Sequence, residues 1–325
     1  MRLNVRAERW PIDGVFTIAR GSVTEIELVV VELEAGDNRG RGECRPYPRY
    51  GETADQVMAA IQTVRAAIEA GADRAALQRL LPPGAARNAL DCAFWDLEAK
   101  QAGKRAWQLA GRARLDPVKT CFTISLAEPE VMAQHARANA HRPWLKLKLG
   151  GGDDVDRVEA VHAAAPRARL VVDANEALTF DELRRTAPDL DRLGVTLIEQ
   201  PLKAGEDAAL EGYISPVTLC ADESLHAPDD LDLCVRRYGC VNIKLDKMGG
   251  LTAALDVAAR ARAAGVEIMA GCMVATSLSM APALIIAQGA AVVDLDGPLL
   301  LARDREPGLR YDGSLIFPPE VDLWG

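Results

Sequence analysis

Histidine is scarce. The 325 residues contain 4, at positions 135, 141, 162 and 226, and no HExxH. That excludes a zinc hydrolase built on imidazoles. The 7 cysteines, at 44, 92, 121, 220, 234, 240 and 272, are odd in number and form no CxxC. Neither a disulfide framework nor a thiolate metal clamp fits, so the thiols read as reduced and mostly buried, as in a cytoplasmic protein. Positive charge is in deficit, with 38 Lys and Arg against 47 Asp and Glu, net −9. This argues against a nucleic-acid partner. No run approaches the ~20 apolar residues of a membrane span. Arg2, Asn4, Arg6, Glu8 and Arg9 interrupt the first residues, so no signal peptide is visible.

What is present fits a globular protein of about two domains, with a core large enough to need no cross-links. With so few imidazoles and no paired thiols, a metal would have to rest on carboxylates. Oxygen donors favour Mg²⁺, with Mn²⁺ as the alternative.

The chain divides by pattern. Residues 2–9 and 23–34 read as strands, with turn chemistry at 36–38. Thr53 caps a helix over 54–70, and a second helix runs over 84–102 up to Gly103. Residues 1–113 are therefore expected to form a small α+β domain. From 114 onward, eight short apolar runs alternate with Ala-rich helices: 120–124, 144–149, 170–175, 196–200, 218–223, 241–246, 266–271 and 292–296. Helical stretches include 153–165, 180–193, 228–238, 250–264 and 276–288. Eight strands with seven intervening helices predict an α/β fold, a parallel sheet closed into a barrel.

Each run ends on an informative residue: Thr123, Lys148, Asp173, Glu199, Asp222, Lys244, Gly271 and Asp294. In a βα barrel the C-terminal strand ends converge on one mouth, where catalytic groups collect. Asp173, Glu199 and Asp222 end three consecutive strands. Three mutually repelling anions call for a divalent cation. Lys146 and Lys148 alternate with leucines in LKLKL, so both face the barrel interior. Lys244 is again inward, whereas Lys247 reads better as loop. Strands two and six lie on opposite sides of an eight-strand ring. A lysine on each side of a substrate suits removal of a proton from one face of a carbon and its return to the other. The charge developing on the adjoining carboxylate would be met by the metal.

At these residues, KLK at 146–148, DAN at 173–175, EQP at 199–201, ADES at 221–224 and NIKLDKMGG at 242–250, the sequence resembles the enolase superfamily, in its muconate-lactonising subgroup. The resemblance implies a modified (β/α)8 TIM barrel, (β/α)7β, over 114–300. A capping domain over 1–113 would be completed by 301–325. It implies Mg²⁺ on Asp173, Glu199 and Asp222, and an acid/base pair of Lys148 and Lys244. Lys146 would support Lys148 and the substrate carboxylate.

Three further features look like the dipeptide epimerases of that subgroup. Asp294 and Asp296 share a face and would suit a free α-ammonium, or else act as a helix cap or a second ion site. Gly271, Cys272 and Met273 would let backbone approach a peptide, with Cys272 contributing its backbone rather than a thiolate. Arg20 in the capping domain would clamp a distal carboxylate, or pair with an acid of its own domain. Thr123 would also touch the substrate. The implied substrate is a small dipeptide of the L-Ala-D/L-Glu type, inverted at its C-terminal residue, with a role in murein peptide recycling. No membrane partner is expected, and a homo-oligomer is compatible with the family. The rivals are N-acylamino acid racemisation, o-succinylbenzoate synthesis and muconate cycloisomerisation on the same scaffold. A non-catalytic metal-dependent binding protein is a rival of a different kind.

Overall fold

A computed structural model describes residues 1–152 and 154–325. The chain opens with a three-stranded antiparallel sheet: β1 (Arg2–Ile18), β2 (Gly21–Ala35) and β3 (Asn38–Cys44). β1 runs well beyond residue 9, because a register shift between Pro11 and Phe16 lets the pair with β2 continue to Ile18–Gly21. A long hairpin results, with Ala19 and Arg20 at its tip.

Helices α1 (Ala54–Glu69), α2 (Arg74–Leu80) and α3 (Ala85–Ala102) follow. Thr53 caps α1 in a reciprocal box with Gln56, and α3 stops at Gly103 in the left-handed conformation. α3 is buried almost all round, because it lies between the cap sheet and the barrel. The sheet approaches it so closely that a Cβ at Gly40 or Gly42 would run into the backbone of Ala93 or Ala89. Phe94 belongs to the cap core. Trp95 instead faces the seam, where its indole donates to Thr252 Oγ1 at 3.0 Å.

After α4 (Ala106–Leu109) and β4 (Val118–Lys119) come the eight parallel barrel strands. They are β5 (Phe122–Ile124), β6 (Trp144–Lys148), β7 (Arg169–Asp173) and β8 (Val195–Glu199), then β9 (Thr218–Ala221), β10 (Cys240–Ile243), β11 (Glu267–Gly271) and β12 (Val292–Asp294). They pair in chain order. The ring closes where Cys121 N donates to Val293 O at 2.8 Å and Leu295 N donates to Thr120 Oγ1 at 2.9 Å.

Helices α5 (Pro129–Ala138), α6 (Asp154–Ala164), α7 (Phe180–Arg192), α8 (Leu231–Arg237), α9 (Leu245–Met248), α10 (Leu251–Ala263) and α11 (Ser277–Ala287) fill the connections. The expected start of the second of these, α6, at Asp153 lies outside the described residues. One connection departs from the predicted alternation. Between β8 and β9 the chain makes only a 3₁₀ turn, Ala208–Leu210. Pro201, Gly205, Gly212 and Pro216 leave no uninterrupted stretch long enough for a helix.

The last residues return across both parts. Leu301 bridges to Ile12, and β13 (Tyr311–Asp312) pairs with β14 (Leu315–Ile316), which in turn pairs with β4. Trp324 is fully buried and donates to Cys92 O of α3 at 3.0 Å. Arg305 reaches Glu8 at 2.8 Å and Glu43 at 2.5 Å.

Candidate active site

The barrel interior rests on a small apolar floor: Cys121, Val171, Leu197, Cys220, Cys240, Met269 and Val292, with Trp144 packed against it. Side chains on a strand alternate, so the residue two positions beyond each floor residue also faces inward. Those residues are Thr123, Asp173, Glu199, Asp222, Asn242, Gly271, Asp294 and Lys146. Lys148 and Lys244 lie two positions further along their strands, toward the mouth. A single rule of period two thus produces the whole charged set.

The acids and lysines interlock. Lys146 Nζ lies 2.6 Å from both Glu199 Oε2 and Asp294 Oδ2, and 3.3 Å from Asp173 Oδ2. Its approach to Glu199 Oε2 is off the line of a directed hydrogen bond, and that oxygen has no other partner. Lys148 Nζ sits 2.5 Å from Asp173, and Lys244 Nζ 2.6 Å from Asp222. All seven groups are buried.

Burial alone would lower the Lys146 and Lys244 ammonium groups. For Lys146, Asp294, Glu199 and Asp173 outweigh it; for Lys244, Asp222 and Glu199 do. Both stand well above the ordinary lysine value. Burial and the neighbouring Asp173 carboxylate push Glu199 up to about 7. Asp173 is held low because Lys148 and Lys146 overcome its burial.

Each of the three acids expected to share one cation is turned onto a lysine. Among the described residues no three acidic, His or Cys side chains converge on one ligating centre. The reason is charge: each carboxylate takes the nearest ammonium. The donor set nonetheless fits a hard divalent cation. It is all oxygen, buried and on adjacent strands, and Glu199 Oε2, though beside the Lys146 ammonium, accepts no directed hydrogen bond.

Above this layer lies a pocket of about 480 Å³, roofed by the cap hairpin and the loop after β3. Lys148, Lys244, Asp222, Arg20, Cys272 and Met273 line it. Thr123, Lys146, Asp173, Glu199, Gly271, Asp294 and Asp296 do not line it. Several expectations need correction. Arg20 does not present an open fork. Its Nη1 donates to Asn175 O at 3.0 Å and to Glu176 at 3.1 Å, and its Nη2 sits 2.7 Å from Glu223. These partners belong to the barrel, not to its own domain. Asp296 stands at the start of a 3₁₀ turn but does not cap it. Its Oδ2 accepts from Thr123 N at 2.6 Å, while Asp294 holds Lys146. Burial and Asp294 raise Asp296 to about 7. Gly271 also answers to a protein neighbour, since a Cβ there would strike the Asn242 amide. Burial pushes the Cys272 thiol well up, in keeping with a backbone contribution.

Other participants escaped the sequence reading. Lys247 is not loop: it lies on α9, fully buried, with Nζ 2.6 Å from Asp222 Oδ1 and 3.1 Å from Asn242 O. The one-turn α9 folds it back toward the barrel, and nothing in the local pattern signals so short a helix. Asn242 Nδ2 donates to Glu199 Oε1 at 2.6 Å. Period two from Lys244 would have found it. Glu176 accepts both teeth of the Arg49 fork, at 2.9 and 2.8 Å. Tyr50 stacks on His226 with centroids 4.2 Å apart.

A capped parallel barrel whose mouth interleaves carboxylates and lysines is the architecture of the enolase superfamily. Comparison with known proteins agrees. Residues 1–111 match the mandelate racemase / muconate lactonizing enzyme N-terminal domain, and residues 130–307 match the enolase C-terminal domain-like family. The chain belongs to the mandelate racemase/muconate lactonizing enzyme family of that superfamily. It is 46% identical to L-Ala-D/L-Glu epimerase of Escherichia coli (strain K12), over 95% of this chain and 97% of that protein. It is 41% identical to N-acetyl-D-glutamate racemase of a Pseudoalteromonas species, over 92% and 95%. Among solved structures, an enolase family member from Agrobacterium tumefaciens with homology to dipeptide epimerases, with bound sodium and L-Ala-L-Glu, superposes with TM-score 0.97 and 51% identity, over 99% of both chains. A dipeptide epimerase from Methylococcus capsulatus, complexed with Mg and L-Arg-D-Lys, gives TM-score 0.88 and 32% identity over 98% and 96%.

Proposed function

We propose that the chain is a Mg²⁺-dependent dipeptide epimerase of the L-Ala-D/L-Glu type, an isomerase that inverts the α-carbon of the C-terminal residue. One observation carries this reading. Lys148 and Lys244 both line the pocket, and β6 and the end of β10 are four places apart in a ring of eight strands. A carbon held between them meets an amine on each face.

Asp173, Glu199 and Asp222 would hold Mg²⁺, with Mn²⁺ able to replace it. When bound, the ion supplies positive charge to the substrate carboxylate as the α-carbanion forms. The residues do the rest. Lys148 and Lys244 release the carboxylates they now hold and turn to the pocket. The lysine on the side of the α-hydrogen, neutral, takes it as a proton. The opposite lysine, as an ammonium, delivers its own proton to the other face. The two thereby exchange protonation states, and the reaction runs in either direction. Lys146, fixed beneath them, keeps a positive charge under the carboxylate. Arg20, Cys272 and Met273 form walls around the substrate, with Thr123 and Gly271 beneath. The relatives named as L-Ala-D/L-Glu epimerase and as Mg-bound dipeptide epimerase support the assignment.

The test is turnover of L-Ala-L-Glu with Mg²⁺ in ²H₂O. Deuterium should enter the Glu α-position in both isomers, and Lys148→Ala and Lys244→Ala should each abolish epimerisation. Full activity in both variants would overturn the two-base reading. A second reading, N-acylamino acid racemisation, has an observation behind it. Asp294 and Asp296 are engaged below the pocket wall rather than offered to an ammonium. The relative named N-acetyl-D-glutamate racemase points the same way. Faster turnover of N-acetylglutamate than of L-Ala-L-Glu would select it. The finer setting we propose is cytoplasmic recycling of murein peptides, in keeping with seven free cysteines. Among the described residues no helix is long and apolar enough to cross a membrane.

A further inference from the structure

Three arginines of the cap border the pocket, and their fates differ. Arg20 and Arg49 are taken up by two barrel glutamates, Glu176 and Glu223. Arg45 is not. It follows β3, and its backbone N–H donates to Asp246 Oδ1 at 3.1 Å. Its guanidinium makes one hydrogen bond, from Nη1 to Val274 O at 3.1 Å, and lies 5.6 Å from the centroid of the Tyr47 ring. Among the described residues no carboxylate approaches its side-chain nitrogens within salt-bridge range, Asp246 included. A guanidinium carries five N–H donors in a planar fork. Most of the Arg45 fork therefore has no protein acceptor, in a wall that also contains Lys244, Cys272 and Val274.

We infer that Arg45, rather than Arg20, reads a second acidic group on the substrate. The inference rests on the proposed function, and it names the substrate class as compounds with a carboxylate beyond the one beside the reacting carbon. A planar carboxylate matches the open fork in a two-toothed fashion, which a side-chain amide or thioether cannot reproduce. Arg20 would have to abandon Glu223 and Glu176 to do the same, leaving Glu223 buried without its cation. Arg20 then serves to fasten the hairpin tip to the barrel.

The experiment compares kcat/KM for L-Ala-L-Glu and L-Ala-L-Gln in the Mg²⁺-loaded wild type and in Arg45→Met, Arg45→Lys and Arg20→Met. In Arg45→Met the Glu-to-Gln ratio should fall about tenfold or more, through KM, as expected for loss of a charged hydrogen-bonded pair. Arg45→Lys should recover part of it by charge alone. Arg20→Met should lower both substrates alike. An unchanged ratio in Arg45→Met, an equal loss on both substrates, or a ratio that moves only in Arg20→Met would overturn the inference. Should the wild type turn over neither dipeptide, the epimerase reading fails. Calorimetric Kd values for the same two dipeptides then decide the role of Arg45, and equal Kd values for both in the wild type would refute it.

Discussion

A methyl group at position 271 has nowhere to go. The Cβ of Gly271→Ala would overlap the side-chain amide of Asn242, which donates to Glu199 Oε1 at 2.6 Å. Either the new methyl is squeezed in, at about 1–3 kcal/mol for overpacking, or Asn242 swings away and a buried bond to a charged oxygen is lost, at about 1.5–3 kcal/mol. In a chain of this length a loss of 1 kcal/mol lowers Tm by roughly 1.5 °C, so the expected fall is ~2–5 °C. The partner experiment is Asn242→Ala, which breaks the same bond but opens space. In the double variant the methyl fits, so adding Gly271→Ala to Asn242→Ala should cost less than about 1 kcal/mol. Differential scanning calorimetry of the four proteins gives the coupling. A Gly271→Ala protein melting within about 1 °C of wild type, or strictly additive losses, would refute the reasoning.

Burial holds the Asp246 carboxyl at about 7, against about 3.9 in an unfolded chain. Between those values the folded state binds the extra proton, so stability falls as pH rises from ~4 to ~7, by at most a few kcal/mol. Asp246→Asn keeps the acceptor for Asn88 and Arg45 N, and thermal melts from pH 5 to 8 should show a flatter decline than wild type. Trp324→Ala empties a fully buried site against α3. It should cost about 3–5 kcal/mol, read as a Tm drop of roughly 4–8 °C. Glu176→Gln releases the half-exposed rim residue Arg49 and removes one of the two acids that hold Arg20. Tm should barely move, as for exposed ion pairs worth about 1 kcal/mol or less, while KM rises in steady-state assays.

The barrel was legible because strand ends recur every 22 to 27 residues and their inward positions alternate with leucine and valine. Thr53 and Gly103 marked helix ends through local chemistry that acts within one turn. What escaped depends on distant parts. The reach of β1 to Ile18 is permitted by an irregularity in its partner register, which no window of sequence shows. Arg20 read as a clamp on a distal carboxylate or a partner of an acid in its own domain, because Glu176 and Glu223 lie more than 150 residues away. Lys247 follows Lys244 by one short turn, and only the return of α9 brings its ammonium onto Asp222. The missing helix between β8 and β9 follows from prolines and glycines that the count of alternating units passed over.

The barrel strands that carry the charged groups also carry the floor beneath them. Cys220 and Asp222, or Val171 and Asp173, stand two positions apart on the same stretch of chain. The pocket roof comes from other segments, the hairpin tip and the loop after β3. Reagents for the bond-making step and the surfaces that choose among substrates are thus encoded in separable stretches of the gene. Randomising the roof while leaving the strands untouched is the economical way to retarget this scaffold, and repacking the floor is the surest way to silence it.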